Sequence, residues 1–297
     1  MRYYNLAGYV IELSGFPKPV IWDRFDGFAC GKSAPHITFR LISEPFGDLY
    51  GIPDDAEKLV DFPLYMTYRY GGLTHFFGVQ HDIIGHKKVN GTYSECIFNI
   101  KPQYYSRLDD PETRERICDS VMMDMRKILT GKLALDRGLC VHSCVINYNG
   151  EGILFSAVSE TGKSTHAHLW QEVFPGTEIV NGDNGFCRVL DGCLIVFSTP
   201  WCGDSNEYTN KSLPIKAIVF LERAQENHIE KLNALEAFIR LSARCFMPFW
   251  DKELVNKAMD TVEYVTQNVN CYLLKCLPDH SAVKVVEQEI FGTGENG

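Results

Sequence analysis

The sequence lacks an uninterrupted apolar run of about 18 residues, the length a membrane-spanning helix needs. It also lacks a Cys-x-x-Cys pair, an excess of basic residues, an internal repeat and any low-complexity tract. Each absence removes a class of protein. The N-terminal stretch MRYYNLAGYVIELSGFPKP is interrupted at Asn5, Glu12 and Pro17, so it reads as neither a signal peptide nor a membrane span. With 29 Lys and Arg against 38 Asp and Glu, the formal net charge is −9. That balance argues against nucleic acid or an anionic membrane surface as the main partner, although a local basic pocket remains compatible with it. The 11 cysteines are odd in number and scattered. They read as free thiols of a reducing compartment rather than a disulfide framework or a structural zinc site, which places the expected location in the cytoplasm. What is present, 297 residues of which 45% are hydrophobic and 23% charged, describes an ordinary globular chain of one large domain or two.

Three parts are expected: a mainly β region with a connecting helix over 1–134, an α/β core over 135–291, and a disordered tail over 292–297. In the first, Tyr3–Leu13, His36–Ile42, Leu64–Tyr70, His75–Val79 and Glu95–Ile100 are aromatic and β-branched runs that read as strands. Turn residues such as Pro45-Phe46-Gly47-Asp48 and Gly71-Gly72 separate them. His75, His81 and His86, with Asp82, read as scattered surface residues rather than a metal site. Asp110-Pro111-Glu112 opens a helix that runs to about Leu135.

The second part centres on Glu151–Trp170, EGILFSAVSETGKSTHAHLW. Leu139–Tyr148 and Gly152–Ala157 are strands around the hairpin turn Asn149-Gly150. A tight loop, Val158 to Thr165, then leads into an amphipathic stretch, His166 to Phe174. Strand, loop and helix in that order suit a phosphate-binding loop, because backbone N–H groups of the loop and first helical turn carry partial positive charge. Ser159, Glu160, Thr161, Gly162, Lys163, Ser164 and Thr165 are the candidate nucleotide-binding residues. Lys163 would reach the β- and γ-phosphates of ATP, and the Ser164 hydroxyl would sit on Mg²⁺.

Further strands are expected at Glu178–Asn181, Phe186–Leu190, Cys193–Phe197, Ile215–Leu221 and Cys271–Leu274. Helices are expected at Leu232–Trp250, Lys252–Asn268 and Ser281–Ile290. Asp183 follows a strand in Gly182-Asp183-Asn184-Gly185, where a carboxylate could hold Mg²⁺ or take a proton from an acceptor hydroxyl; an Asp that merely forms the Asx turn is the plainer alternative. Pro200-Trp201-Cys202-Gly203 reads equally well as an aromatic lid or as a buried anchor.

The block Val141-His142-Ser143, Asn149-Gly150-Glu151-Gly152 and Ser159-Glu160-Thr161-Gly162-Lys163-Ser164-Thr165 resembles HPr kinase/phosphorylase C-terminal domains and their relatives. Asp183 and Thr199-Pro200-Trp201-Cys202-Gly203 look more like the small serine-kinase-like relatives. The likeness covers roughly residues 135–290. It implies a mixed-sheet nucleotide fold shared with phosphoenolpyruvate carboxykinases. It also implies ATP and Mg²⁺ as ligands, and a serine-type hydroxyl of a peptide, small protein or small molecule as phosphoryl acceptor. His142 matches a histidine near the active site of HPr kinases, so Asp183, Lys163 and His142 are the implied catalytic residues; a core histidine on a strand is the alternative for His142. A homo-oligomer follows only from the resemblance, since the HPr enzymes form rings.

Three positions depart from the pattern. Ala157 replaces the first loop glycine. Glu160 stands where relatives have Gly, which costs roughly 1 kcal/mol if φ is positive there. Gly182-Asp183 replaces two adjacent acids. Glu160 and Gly182 favour a second reading, a nucleotide-binding regulatory or scaffold protein with little turnover. Carboxykinase chemistry would need a cluster of basic and metal-binding residues that the sequence does not show.

Overall fold

Apolar residues alternating at period two build the first sheet. Tyr9, Ile11 and Leu13 are buried while their neighbours are not, and Ile37, Phe39 and Leu41 repeat the pattern. The computed structural model describes residues 1–45, 51–62, 65–78 and 85–292. Among these, the strands form two eight-stranded mixed sheets, and the chain divides into two compact units. One unit is Met1–Leu135 with Pro248–Val255, the other Asp136–Met247 with Asn256–Gly297.

The first unit contains β1 (Arg2–Leu6), β2 (Tyr9–Ser14), β3 (Ile37–Ile42), β4 (Glu57–Phe62), β5 (Tyr65–Tyr70), β6 (Leu73–Gly78), β7 (His86–Asn90) and β8 (Glu95–Asn99). They are followed by α1 (Pro102–Tyr105) and α2 (Pro111–Leu135). The sheet order is β1-β2-β3-β8-β7-β6-β5-β4, parallel only at β2–β3 and β3–β8. Asp110 caps α2 as expected, accepting from Thr113 N–H at 3.0 Å. α2 buries Ile117, Val121, Met125, Ile128 and Leu129, and Asp124 takes Lys87 Nζ at 3.0 Å.

Several expectations for this unit are corrected. Tyr3–Leu13 is two strands, not one: Ala7 (φ 53°) and Gly8 (φ 78°) form a two-residue hairpin turn without the usual Asn-Gly signature. β4 and β7 were not expected, because Glu57, Lys58, Asp61, Lys87 and Lys88 mask their alternation. His75 and His86 are not scattered on the surface. His75 is buried, its Nδ1 lies 3.0 Å from His86 Nε2, and the pair is stacked among Tyr70 and Phe77. The turn at Phe46–Asp48, and Leu64, Val79, His81, Asp82 and the tail 293–297, lie outside the described residues.

Burial, reinforced by His75 and Lys88, pushes the His86 imidazole down to about 4, from an ordinary 6.5. Burial pushes His75 down as well, and its Nε2 has no hydrogen-bond partner among the described residues. Depressed folded-state values mean that the unfolded chain binds protons first, so the stability of neutral His86 is complete above about 6.5 and is lost as pH falls toward about 4. Between pH 7 and pH 5 the chain is therefore expected to lose roughly 1–2 kcal/mol of stability through this histidine. Urea unfolding at the two pH values should show that loss, and His86→Phe should flatten it; an equal loss in the variant would acquit His86.

The second unit contains β9 (Gly138–Tyr148), β10 (Glu151–Ser156), α3 (Lys163–Val173), β11 (Glu178–Asn181), β12 (Asn184–Leu190), β13 (Cys193–Phe197) and β14 (Ser212–Arg223). Then come β15 (His228–Lys231), α4 (Ala234–Ser242), α5 (Lys252–Asn268, of which the part from Asn256 belongs here), β16 (Asn270–Cys276) and α6 (His280–Phe291). β9 serves three neighbours. Gly138–His142 pair with β12, Val145–Asn147 with β11 and Ser143–Tyr148 with β10. β14 likewise pairs with β13 through Ser212–Pro214, then with β10 and β16 in parallel. α3 and α6 cover the apolar face, burying Trp170, Val283 and Val286 against Phe155, Val219 and Leu274.

The helix expected at Leu232–Trp250 stops at Ser242. An Asn233–Glu236 capping box starts it. Beyond Ser242 the chain is diverted to β9, where Cys245 bridges Val141 and Phe246 N–H bonds Cys140 O at 2.9 Å. β15 was not expected; it is a short exposed edge strand on β16. No helix among the described residues is long and apolar enough to cross a membrane.

Candidate functional site

The loop after β10 is fixed by its own short-range bonds. Thr161 N–H donates to Val158 O at 3.2 Å, and Glu160 (φ 63°) and Gly162 (φ 119°) take left-handed backbone. α3 starts at Lys163, and the N–H of His166 bonds the carbonyl of Gly162 at 2.9 Å. The amides ahead of it have no preceding helical carbonyl and carry the positive end of the helix dipole. Arg223, at the end of β14, donates through Nε to Thr161 O at 3.3 Å and through Nη2 to Glu160 O. It thereby holds a non-glycine residue at a φ that costs roughly 1 kcal/mol. Ser159, Glu160 and Thr165 are exposed, Thr161, Gly162 and Ser164 half-buried, and Lys163 is buried.

Lys163 Nζ lies 3.0 Å from His142 Nε2, and the same imidazole nitrogen lies 2.9 Å from Asp183 Oδ1. Residues from β9, the loop–helix junction and the β11–β12 turn thus meet at one atom. His142 ends the stretch of β9 that pairs with β12, its backbone N–H bonds Arg244 O at 2.9 Å, and its side chain is 28% exposed. A ring nitrogen has one in-plane position: it donates a proton to Asp183 or accepts one from Lys163, and cannot do both. Burial holds the Lys163 ammonium below its ordinary value; the Asp183 carboxylate opposes that and Arg244 adds to it.

Asp183 is mounted by its neighbours. Asn181 Oδ1 accepts from the N–H groups of Asp183 (3.0 Å) and Asn184 (2.7 Å), so Asn181, not Asp183, forms the Asx turn. The Asp183 carbonyl takes Ser143 N–H at 2.8 Å, and its carboxylate takes the Asn184 amide. A Cβ on Gly203 (φ 74°) would fall 2.9 Å from Asp183 Cβ, and one on Gly182 would fall 2.5 Å from Ser205 Oγ and 2.7 Å from Cys202 O. Close backbone approach accounts for Gly182: a second acid has no room there. Trp201 is 2% exposed and stacks on Phe186 at 5.5 Å, which makes the Pro-Trp loop an anchor rather than a lid. Cys202 is fully buried within that loop and offers no surface to a substrate.

Glu207 was missed. Its carboxylate takes His168 Nε2 of α3 at 2.9 and 3.1 Å, and its carbonyl takes Gly182 N–H at 3.0 Å. Burial first, then the Glu207 charge, pushes the Cys144 thiol up to about 12, with Lys163 opposing. Glu207 sits in a polar loop with no hydrophobic period, so nothing local in the sequence marks it.

Ser164, Asp183 and Glu207 offer hard oxygen donors. No group of three or more His, Cys, Asp or Glu among the described residues is arranged to hold a metal by itself. Mg²⁺ bound with substrate phosphates needs only one or two carboxylates plus water, so this donor set fits it.

No family model matches the chain, and no curated protein matches it. Among solved structures, the Hpr(Ser) kinase/phosphatase from Coxiella burnetii is similar over 50% of this chain and 95% of its own, at 9% identity and a TM-score of 0.30.

Proposed function

We propose that residues 136–247 and 256–291 form a mixed-sheet nucleotide-binding domain of the HPr kinase and phosphoenolpyruvate carboxykinase type. In this reading it binds Mg·ATP at Ser159–Thr165 and transfers the γ-phosphoryl group to a serine-type hydroxyl. The observation that carries this reading is the meeting of Lys163, His142 and Asp183 at one imidazole nitrogen beside the loop. Lys163 leaves His142 for the phosphate oxygens, where its charge serves better than in a buried contact with an imidazole. His142 Nε2 is then free to donate to Asp183 and to fix the carboxylate for the acceptor. Asp183 takes the hydroxyl proton as the acceptor oxygen attacks the γ-phosphorus. The bond from phosphorus to the bridging oxygen breaks, and ADP leaves with the electron pair. Ser164 and Asp183 would hold Mg²⁺, which when bound would neutralise charge on the phosphates.

Incubation with γ-³²P-labelled ATP and Mg²⁺ and a panel of serine peptides, small proteins and free serine is expected to label an acceptor at the hydroxyl. ATP binding without transfer to any acceptor class would instead support the weakly catalytic scaffold reading. An exposed carboxylate at Glu160, in a strained conformation on the phosphate loop, favours that second reading.

A further inference from the structure

β10, β14 and β16 run parallel, so their C-terminal ends lie side by side along one edge of the sheet. The phosphate loop leaves the first of these ends. The other two, Leu221–Gln225 and Cys276–Pro278, face the start of α3 across a cavity of about 530 Å³. That size falls among ligand clefts of roughly 300–1,000 Å³, and the place is where open α/β sheets bind ligands, outside the carboxyl ends of the strands.

The walls differ in chemistry. Thr161, Gly162 and Thr165 make one side, which is the phosphate loop itself. Leu169, Leu221, Leu277 and Pro278 line the remainder with apolar surface. Most polar groups here are already engaged. Ala224 N–H bonds Cys276 O at 3.1 Å, and Leu277 N–H bonds Asn227 Oδ1 at 2.8 Å. His166 Nε2 takes Trp170 Nε1 at 3.2 Å, and Arg223 holds the loop carbonyls. Gln225, an exposed residue, also lines it. A ligand matching this cleft is flat and largely apolar at one end and phosphorylated at the other.

We infer that the cleft is a purine-nucleoside site that takes the base and ribose of the nucleotide and reads the base mainly by packing. The inference rests on the phosphate-loop reading and adds to it where the uncharged half of the substrate sits. A purine covers more apolar wall than a pyrimidine and gains accordingly. The backbone N–H groups of Ala224 and Leu277 are consumed within the protein and cannot read a base edge. Adenine and guanine are therefore both accepted.

Calorimetric titration with the Mg²⁺ complexes of ATP, GTP, CTP and inorganic tripolyphosphate tests this. ATP and GTP are expected to bind within about tenfold of each other, CTP about tenfold more weakly, and tripolyphosphate on the order of 100-fold more weakly than ATP. Ala224→Trp, which fills the cleft, should remove the advantage of ATP and leave tripolyphosphate binding unchanged. Leu169→Ala, which strips the apolar wall, should shrink that advantage in the same direction, and serves if the tryptophan variant does not fold. Tripolyphosphate binding as tightly as ATP in the parent would overturn the nucleoside site while leaving the phosphate loop standing. A preference for ATP over GTP beyond about 100-fold would overturn reading by packing. Failure of every ligand to bind would remove both.

Discussion

Lys163→Ala is expected to weaken Mg·ATP binding on the order of 100-fold, because under the proposed function it removes charge-assisted bonds to phosphate worth about 1.5–3 kcal/mol each. The same substitution should leave the fold at least as stable as the parent. Lys163 is 9% exposed, and burial holds its ammonium below its ordinary value. A lysine whose folded-state value is depressed is a charge the folded state hosts at a cost at neutral pH, and that cost begins to fade only as pH rises through the folded-state value and is gone above the ordinary one. Removing the side chain also ends the competition at His142 Nε2, which can then donate to Asp183 without opposition. Calorimetry with Mg·ATP and a thermal melt of the same sample separate the two effects. Unchanged affinity in the folded variant would remove Lys163 from the phosphate site. A lower melting temperature would mean that its ammonium is a structural tie between β9 and α3.

Local signals in this chain carried their elements well. Asp110 at the start of α2 and the Asn149-Gly150 turn stand where side-chain and backbone chemistry alone would put them. The strand–loop–helix order around Gly162-Lys163-Ser164 was equally legible, since each step depends on residues a few positions away. What the sequence hid is what long-range pairing decides. α4 ends at Ser242 because the chain beyond it is diverted to β9, and helical spacing in Leu232–Trp250 contains no sign of that partner. β7 buries Lys87 as well as Val89, so its apolar period vanishes from the sequence. Glu207 joins the site only because its loop folds back over Gly182, and the nucleoside cleft exists only because β14 and β16 line up beside β10. Gly182 shows the reverse case. As a letter it looks like a lost acid; in three dimensions it is the only residue that fits between Ser205 and Cys202.

Asp183→Asn is expected to lower the rate of phosphoryl transfer by about 10²–10⁴ at saturating Mg²⁺ and ATP, the usual contribution of a positioned general base. The isosteric amide keeps the close approach to Gly203, and the turn should survive because Asn181 holds it through the backbone N–H groups of residues 183 and 184. Stability should therefore change by no more than about 1 kcal/mol, chiefly through the exchanged contact with the Asn184 amide. ATP affinity should change far less than the rate, since the proposed function gives the phosphates to the loop and Lys163. The Mg²⁺ titration divides the two roles assigned to this carboxylate. If raising Mg²⁺ restores the rate, Asp183 holds the metal and some other group takes the proton. If the rate stays low at every Mg²⁺ concentration, and its pH dependence disappears with the carboxylate, Asp183 is the base, and His142 is the residue that aims it.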